Sequence, residues 1–261
     1  NEAEILLLPR PRRFGKTLNL TMLRWFFELG ENKEKRKKLF SELLIEKETM
    51  FEKHLANYPV IFLTFKDIKD NSFDEAFLSI KDLISEEFTR HAYLRNSELL
   101  NDFQENEFEL IMKREADSFV YRRALKTLSE YLYKYHNKKV VVLIDEYDTP
   151  IHAAFYYGYY DDCISFFRAF LGAGLKDNPD IFKGVITGIL RVAKESIFSG
   201  LNNLGVYTLL SEKFSDKFGL TQPEVDRLLK DSSNGDQADD IKNWYDGYIF
   251  AQTQVYNPWS I

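Results

Sequence analysis

An uninterrupted aliphatic run, Val140 to Ile144, most constrains what this chain can fold into. Strands buried on both faces have continuous apolar runs, so this one predicts a central strand of a parallel sheet. Similar runs occur at residues 5–8, 59–65 and 182–189, with a weaker one at 206–210, and helical patterns separate them. Strands that alternate with helices predict an α/β fold, a three-layer αβα sandwich whose parallel sheet carries helices on both faces.

The first apolar run leads through a short loop into Gly15-Lys16-Thr17, where a predicted helix begins. A strand, loop and helix in this order supply backbone amides, a lysine ammonium and a threonine hydroxyl, which together hold a triphosphate and its Mg²⁺ in a P-loop. We therefore expect the phosphates to contact the loop and the first helical turn, namely Arg12, Arg13, Phe14, Gly15, Lys16, Thr17 and Leu18.

The loop departs from the P-loop pattern GxxxxGK[ST], because Arg10 stands where that pattern has its first glycine. Pro11 follows and contributes no N–H to a phosphate cradle. Arg10, Arg12 and Arg13 either add positive charge to the phosphates or brace neighbouring acids. The alternative is a chance GK[ST] sequence with solvated arginines, and the loop by itself does not decide between them.

Two acids, Asp145 and Glu146, follow the central strand directly. The carboxyl ends of parallel strands meet at one edge of the sheet, so these acids should face the same crevice as the loop after the first strand. We expect Asp145 to hold hydrated Mg²⁺ together with Thr17, and Glu146 to polarise the attacking water. A strand that merely ends in acids is the alternative, and its coincidence with the strand-GKT-helix sequence makes that alternative the weaker one.

A third polar group is predicted at the end of the strand at residues 182–189. Thr187 or Arg191 lies where such folds place a sensor of the γ-phosphate, between the loop strand and the acid strand. We assign Thr187 to nucleotide binding and Arg191 to catalysis. An ordinary arginine at a strand exit is an equal alternative for Arg191.

Composition excludes several classes of protein. The 261 residues are 44% hydrophobic and 29% charged, which is typical of a globular chain, and the net charge is -6. This acidic balance argues against a surface that neutralises nucleic-acid phosphates over its whole extent, so direct nucleic-acid binding has no support, although a local basic patch remains open. No run of about 18 apolar residues and no signal-peptide pattern occurs, so we expect no membrane insertion and no secretion.

Cysteine and histidine usage indicates neither disulfides nor zinc. Cys163 is the single cysteine, which fits a reduced, cytoplasmic setting. The histidines are scattered without a metal-binding spacing and are interpreted as surface or packing residues: His54, His91, His136 and His152.

The patterning changes near Phe214, which predicts two domains. Residues 1–213 are expected to form the P-loop core, and residues 214–261 a small, mainly helical and winged-helix-like appendage that is cut short at its C-terminus. The sequence TQPE at residues 221–224 predicts a helix start of the capping-box type. Because the chain begins almost on a strand and stops just after Trp259, we interpret it as part of a longer protein.

Several segments resemble the bacterial AAA-ATPase-like family over nearly the whole chain: RPRRFGKT at residues 10–17, LIDEYDTPI at 143–151, the long stretch at 187–203, FGLT at 218–221, WYDGY at 244–248 and YNPWS at 256–260. The resemblance implies a P-loop ATPase core of the additional-strand, catalytic-glutamate class. It also implies that arginine in place of the first loop glycine is usual among members of the family. Members are often followed by a restriction-nuclease-like domain, and ATPases of this kind often form homo-oligomers in which a partner arginine completes the site.

Two functions remain open at this point, and a third, a DNA-processing subunit, rests on the family resemblance alone. The first is an ATPase that binds ATP with Mg²⁺ and hydrolyses it slowly, to drive or gate a conformational change in a regulatory or nucleic-acid-associated multidomain protein. The second is a module that binds ATP or ADP as a switch with little or no turnover. Glu146 favours the first and the altered loop favours the second. The role of residues 196–203 and 244–259 does not follow from their sequence.

Overall fold

The computed structural model describes residues 4–30, 32–95, 97–189, 197–198, 200–232 and 247–261. Five of the described strands form one sheet in which every neighbouring pair is parallel, in the order β2-β3-β4-β1-β5. Their bounds are β1 Ile5–Pro9, β2 Val60–Thr64, β3 Val140–Asp145, β4 Ile181–Gly188 and β5 Leu204–Val206. The predicted α/β fold is confirmed, although β5 lies slightly earlier in the chain than the sequence pattern indicated.

Helices connect the strands, as the alternating pattern predicted. Between β2 and β3, the long charged segment without glycine or proline forms three helices, which the sequence also predicted as helical. The bounds are α1 Lys16–Phe27, α2 Lys33–Phe40, α3 Phe51–His54, α4 Phe73–Arg90, α5 Asp102–Met112, α6 Ser118–His136, α7 Thr149–Tyr157 and α8 Tyr160–Leu175.

Strand β3 lies inside the sheet and is buried along its whole length, as its unbroken aliphatic run requires. Alternate side chains point to opposite faces of a strand, so Val140, Val142 and Ile144 pack into one hydrophobic core while Val141 and Leu143 pack into another. The first core also takes in apolar residues of α4, α6 and α8, and the second takes in Leu20 of α1. Helices therefore cover both faces of the sheet.

The strand order determines where polar residues can meet. Strand β4 lies between β1 and β3, with Leu8 opposite Thr187 and Ile144 opposite Ile186. The loop that leaves β1 and the acids that end β3 therefore lie at the same edge of the sheet, one strand apart. This position of β4 confirms the predicted strand between the loop strand and the acid strand.

The C-terminal segment adds elements that the sequence analysis did not predict. Besides α9 (Gln222–Asp231), it contains three short strands, β6 Leu220–Thr221, β7 Tyr248–Phe250 and β8 Thr253–Tyr256, paired antiparallel in the order β6-β8-β7. The predicted capping box at the start of α9 is present, with Thr221 and Glu224 bonded to each other's backbone N–H. The prediction of a mainly helical appendage missed these strands, and the domain boundary at residue 213 stays a prediction.

Residues of the C-terminal segment enter the second core of the main sheet. Phe218, Phe250 and Val255 are buried in the same cluster as Val141 and Leu143 of β3. None of the helices in the described part of the chain has the length and apolar character that crossing a bilayer requires.

A close helix contact generates the first prediction. A Cβ atom added to Gly174 of α8 would lie 2.5 Å from Cδ2 and 2.9 Å from Cβ of Leu125 on α6. We expect Gly174→Ala to lower the free energy of unfolding by about 1–3 kcal/mol, because α6 and α8 would have to move apart. Urea denaturation followed by circular dichroism measures this change.

Gly172, two residues earlier in α8, is the matched control because an added Cβ would meet nothing within 4 Å. Gly172→Ala should be neutral or stabilise the protein by about 0.5–1 kcal/mol, since alanine loses less backbone entropy in a helix. Equal effects of the two substitutions would contradict the close packing of α6 against α8.

Candidate functional site

The loop between β1 and α1 leads into a helix terminus that lacks the usual caps. Its N-cap residue is Gly15, in the left-handed conformation with φ 72°, and no described side chain caps the first turn, which also contains no acid. Instead, α1 begins with Lys16, whose side chain is only 4% exposed and donates to the Pro11 carbonyl at 3.1 Å. A lysine is unfavourable at the positive end of a helix dipole, so this terminus is suited to an anionic ligand.

At the end of β3, the fully buried carboxylate of Asp145 accepts hydrogen bonds from hydroxyls on three other elements, the longest of them from Thr64 Oγ1 of β2 at 3.4 Å. Thr17 Oγ1 of α1 donates to Oδ2 at 2.6 Å, and Thr187 Oγ1 of β4 donates to Oδ1 at 2.7 Å. A buried carboxylate needs such partners to offset its desolvation. Asp145 therefore joins α1, β3 and β4 at one point.

The next residue, Glu146, turns back toward the loop. Its backbone is left-handed, with φ 52°, which is uncommon outside glycine and typical of functional sites. Glu146 Oε1 lies 3.1 Å from Lys16 Nζ, and Oε2 accepts from Thr149 Oγ1 at 3.3 Å. The lysine of the loop and the acid of the strand are therefore paired.

The structure brings together five of the residues predicted for the site: Lys16, Thr17, Asp145, Glu146 and Thr187. Arg12 lies at the entrance of the cleft next to them. Arg191 lies outside the described residues. The functional roles of all these residues stay predictions.

Other predicted residues of the loop face elsewhere with their side chains. Phe14 is fully buried, with its ring 5.1 Å from that of Tyr248 and 5.3 Å from that of Phe250. The guanidinium of Arg13 lies over the Trp259 ring, 5.3 Å from its centroid. Phe14 and Arg13 can therefore offer a ligand their backbone N–H groups, while their side chains contact the C-terminal segment. Leu18 is 64% exposed and makes no described contact with the acids.

Arg10, in the place of the first loop glycine, is fully buried. Its guanidinium donates to the carbonyls of Tyr207, Phe214 and Lys217 at 2.9, 2.7 and 3.3 Å, and to its neighbour Pro9. Burial lowers the pKa of Arg10 to about 10, so it stays protonated at neutral pH. The expectation that Arg10 adds charge to phosphates or braces acids is therefore wrong, because its donors are used by backbone carbonyls.

An open cleft of about 600 Å³ is lined by Glu146, the partner of Lys16, and is large enough for a small-molecule ligand. Besides Arg12, Thr17 and Glu146, it is lined by residues that the sequence analysis did not select: Lys66, Lys69, Thr149, His152, Ala153, Tyr156, Tyr157 and Ile189. The sequence contains a signal for part of this lining, because residues 149, 152, 153, 156 and 157 are spaced as one face of a helix that begins directly after the acids.

No group of three or more His, Cys, Asp or Glu side chains in the described ranges could hold a metal ion. The thiol of Cys163 is buried in α8, and this burial raises its pKa to about 12, which makes it unreactive at neutral pH.

Comparison with known proteins adds two findings. Residues 1–198 match a family model described as "Predicted AAA-ATPase". A protein of Azotobacter chroococcum mcd 1, described as "Uncharacterized protein in vnfD 5'region", is 33% identical over 125 residues. The matched region covers 48% of this chain and 24% of that relative.

The position of Arg10 generates the second prediction. We expect Arg10→Gly, which restores the P-loop pattern, to lower the free energy of unfolding by about 2–4 kcal/mol, because it leaves buried carbonyls without donors. Thermal or urea denaturation measures this loss. Arg12→Ala is the control, since Arg12 is exposed at the cleft and should change stability by less than about 0.5 kcal/mol. A fully stable Arg10→Gly variant would contradict a structural role for Arg10.

Proposed function

Because the chain belongs to the family of predicted AAA-ATPases, whose description suggests nucleotide binding and hydrolysis, we propose that it binds ATP with Mg²⁺ at the β1–α1 loop and hydrolyses it slowly. The observation that carries the proposal is the meeting of two pairs at one edge of the sheet. Thr17 lies 2.6 Å from Asp145, and Lys16 lies 3.1 Å from Glu146. These are the groups that phosphoryl transfer from ATP requires.

The donor set fits a polyphosphate. The uncapped first turn of α1 offers backbone N–H groups, and Lys16 offers an ammonium next to them. Amides at a helix N-terminus and a lysine bind phosphate oxygens by both charge and hydrogen bonding. Arg12, exposed at the rim of the cleft, supplies a further positive charge.

The donor set also fits Mg²⁺. This ion prefers oxygen ligands and is commonly held by one or two carboxylates together with phosphate oxygens and water. The Thr17 hydroxyl and the Asp145 carboxylate supply such oxygens, and Thr187 fixes the orientation of the carboxylate through its second oxygen. When bound, Mg²⁺ would neutralise charge on the phosphates.

Glu146 is proposed as the group that polarises the attacking water. In the structure its carboxylate is paired with Lys16 and bonded to Thr149. We propose that the Lys16 ammonium moves from Glu146 to the phosphates when ATP binds. One Glu146 oxygen is then free to accept a proton from water. Thr149 keeps the carboxylate oriented during this exchange.

The contacts of the loop support a role of ATP in moving or gating another part of the molecule. Arg10, Arg13 and Phe14 lie in the proposed phosphate-binding loop, and each of them contacts the segment after residue 206. A ligand that reorders the loop therefore acts directly on the C-terminal segment. We also propose that this ATPase acts within a regulatory or nucleic-acid-associated multidomain protein. A homo-oligomer that supplies an arginine to the site and a neighbouring nuclease-like domain are further parts of this proposal.

One observation favours the alternative, a nucleotide-dependent interaction module with little or no turnover. Arg10 is committed to structure and Pro11 has no N–H, so this loop offers fewer phosphate ligands than a complete P-loop. Turnover distinguishes the two functions, because only the ATPase needs the Glu146 carboxylate.

The third prediction separates binding from hydrolysis. We expect Lys16→Ala to weaken ATP binding at least about tenfold, since alanine removes the ammonium that donates a charge-assisted hydrogen bond to phosphate. Glu146→Gln should bind ATP as tightly as the wild type or more tightly, because it no longer pairs with Lys16, and should release phosphate about a hundredfold more slowly. Calorimetric titration with ATP and Mg²⁺ and a phosphate-release assay measure the two quantities.

Lys38→Ala and Glu48→Gln are matched controls on exposed residues away from the cleft, and both should behave as the wild type. A wild-type chain that binds no ATP would overturn the proposed function. A wild type that binds ATP but releases no more phosphate than Glu146→Gln would support the interaction module.

A further inference from the structure

The cleft is lined by more residues than those proposed for ATP. Helix α7 turns one face toward it, with His152, Ala153, Tyr156 and Tyr157 following Thr149 at helical spacing. Lys66 and Lys69, from the loop after β2, also line it. We call these six residues, Lys66, Lys69, His152, Ala153, Tyr156 and Tyr157, the α7 arm.

The proposed function places the α7 arm on the side from which water attacks. In phosphoryl transfer the attacking and leaving oxygens lie roughly in line on opposite sides of the phosphorus. On the proposed function, on which this inference rests, Glu146 polarises the attacking water, so Glu146 marks the nucleophile's side and the nucleoside lies on the other. Thr149, at the start of α7, donates to Glu146, so on this function the α7 arm lies on the nucleophile's side and outside the space that ATP fills.

The side chains of the α7 arm combine two kinds of group. Tyr156 is 81% exposed and Tyr157 is 47% exposed, and their rings meet edge to face with centroids 4.9 Å apart. Lys66 and Lys69 are exposed cations in the same cleft. Aromatic rings next to cations are the features that bind single-stranded nucleic acid, where bases stack on the rings and phosphates meet the cations.

We propose that the α7 arm binds a nucleotide unit, with its base on Tyr156 and its phosphate at Lys66 and Lys69. The unit comes either from a single nucleic-acid strand or from a free mononucleotide, and both share this chemistry.

Negative charges oppose the binding of a polyanion to this chain. The net charge is -6, which disfavours binding over the whole surface. Next to the arm, Asp67 lies 3.9 Å from Lys66 and is 85% exposed at its side chain, so it competes with a phosphate for that lysine. His152 of the arm has its Nε2 3.7 Å from the buried carboxylate of Asp148.

A ligand in the α7 arm would act on hydrolysis through Thr149. This residue is at the start of α7 and donates to the same Glu146 carboxylate that is paired with Lys16. A ligand that shifts α7 therefore changes the orientation of Glu146, and the rate of phosphate release depends on whether the arm is filled.

The test measures binding without ATP. Fluorescence anisotropy of a labelled twelve-residue oligothymidylate is titrated with the full chain at several salt concentrations, and thymidine monophosphate serves as competitor. We expect Tyr156→Ala to weaken binding about five- to a hundredfold. When Lys66 and Lys69 are replaced by alanine, log affinity should fall less steeply with log salt concentration. The magnitude of the slope should decrease by about 0.7 for each phosphate that the lysines no longer neutralise. Asp67→Asn should tighten binding.

Matched controls are Tyr133→Ala and a double replacement of Lys35 and Lys38 by alanine, at exposed positions outside the cleft, and they should bind as the wild type. Displacement by the monophosphate at concentrations comparable to the oligonucleotide would identify a free nucleotide as the source, and weak displacement would identify a strand. The proposal is overturned if the wild type binds neither, or if the α7-arm variants bind like the controls.

The Lys16→Ala variant separates this proposal from the ATPase function. It should lose ATP and keep the oligonucleotide, because Lys16 lies outside the α7 arm. Oligonucleotide binding in a wild type that binds no ATP would overturn the ATPase function alone. A strand that binds but leaves phosphate release unchanged would overturn the proposed link through Thr149.

Discussion

The carboxylate of Asp145 is the constraint on which the site depends. It is fully buried at the end of β3, and its charge is tolerable there because Thr17 and Thr187 donate to its two oxygens. Those hydroxyls come from the first turn of α1 and from β4, so the hydrogen bonds fix the loop helix against the central strands. Glu146 is the next residue after Asp145, so the same hydrogen bonds also position the Lys16–Glu146 pair.

Arg10 ties the same loop to the segment after residue 206. A glycine at this position would leave the carbonyls of Tyr207, Phe214 and Lys217 without the donors that Arg10 supplies. Phe14 adds a hydrophobic contact, because its ring packs on β7. The loop therefore connects the proposed phosphate-binding site with the C-terminal segment. The arginine that replaces the first P-loop glycine has a structural role and does not occupy the proposed ligand site.

The proposed ATP site and the α7 arm divide one cleft according to chemistry. The lining residues Thr17 and Glu146 belong to the helix terminus and the acids that suit phosphates and Mg²⁺, whereas the α7 arm has lysines and exposed tyrosines. Thr149 belongs to α7 and bonds to Glu146, so it connects the two sets of residues. We propose that a ligand at either site acts on the other through this hydrogen bond.

The sequence by itself determined the fold class, the strand that ends in Asp145, and the helix that begins at Lys16. Local patterns suffice there, because burial on both faces requires continuous apolar runs and a helix start needs only its own first residues. Only the tertiary structure decided where Arg10 points, that Phe14 is a core residue, and that Lys66 and Tyr156 share a cleft. Those contacts join residues far apart in the chain, and a residue type alone does not specify its distant partner. The strands of the C-terminal segment were missed for the same reason, since pairing between β6 and β8 joins short segments across α9.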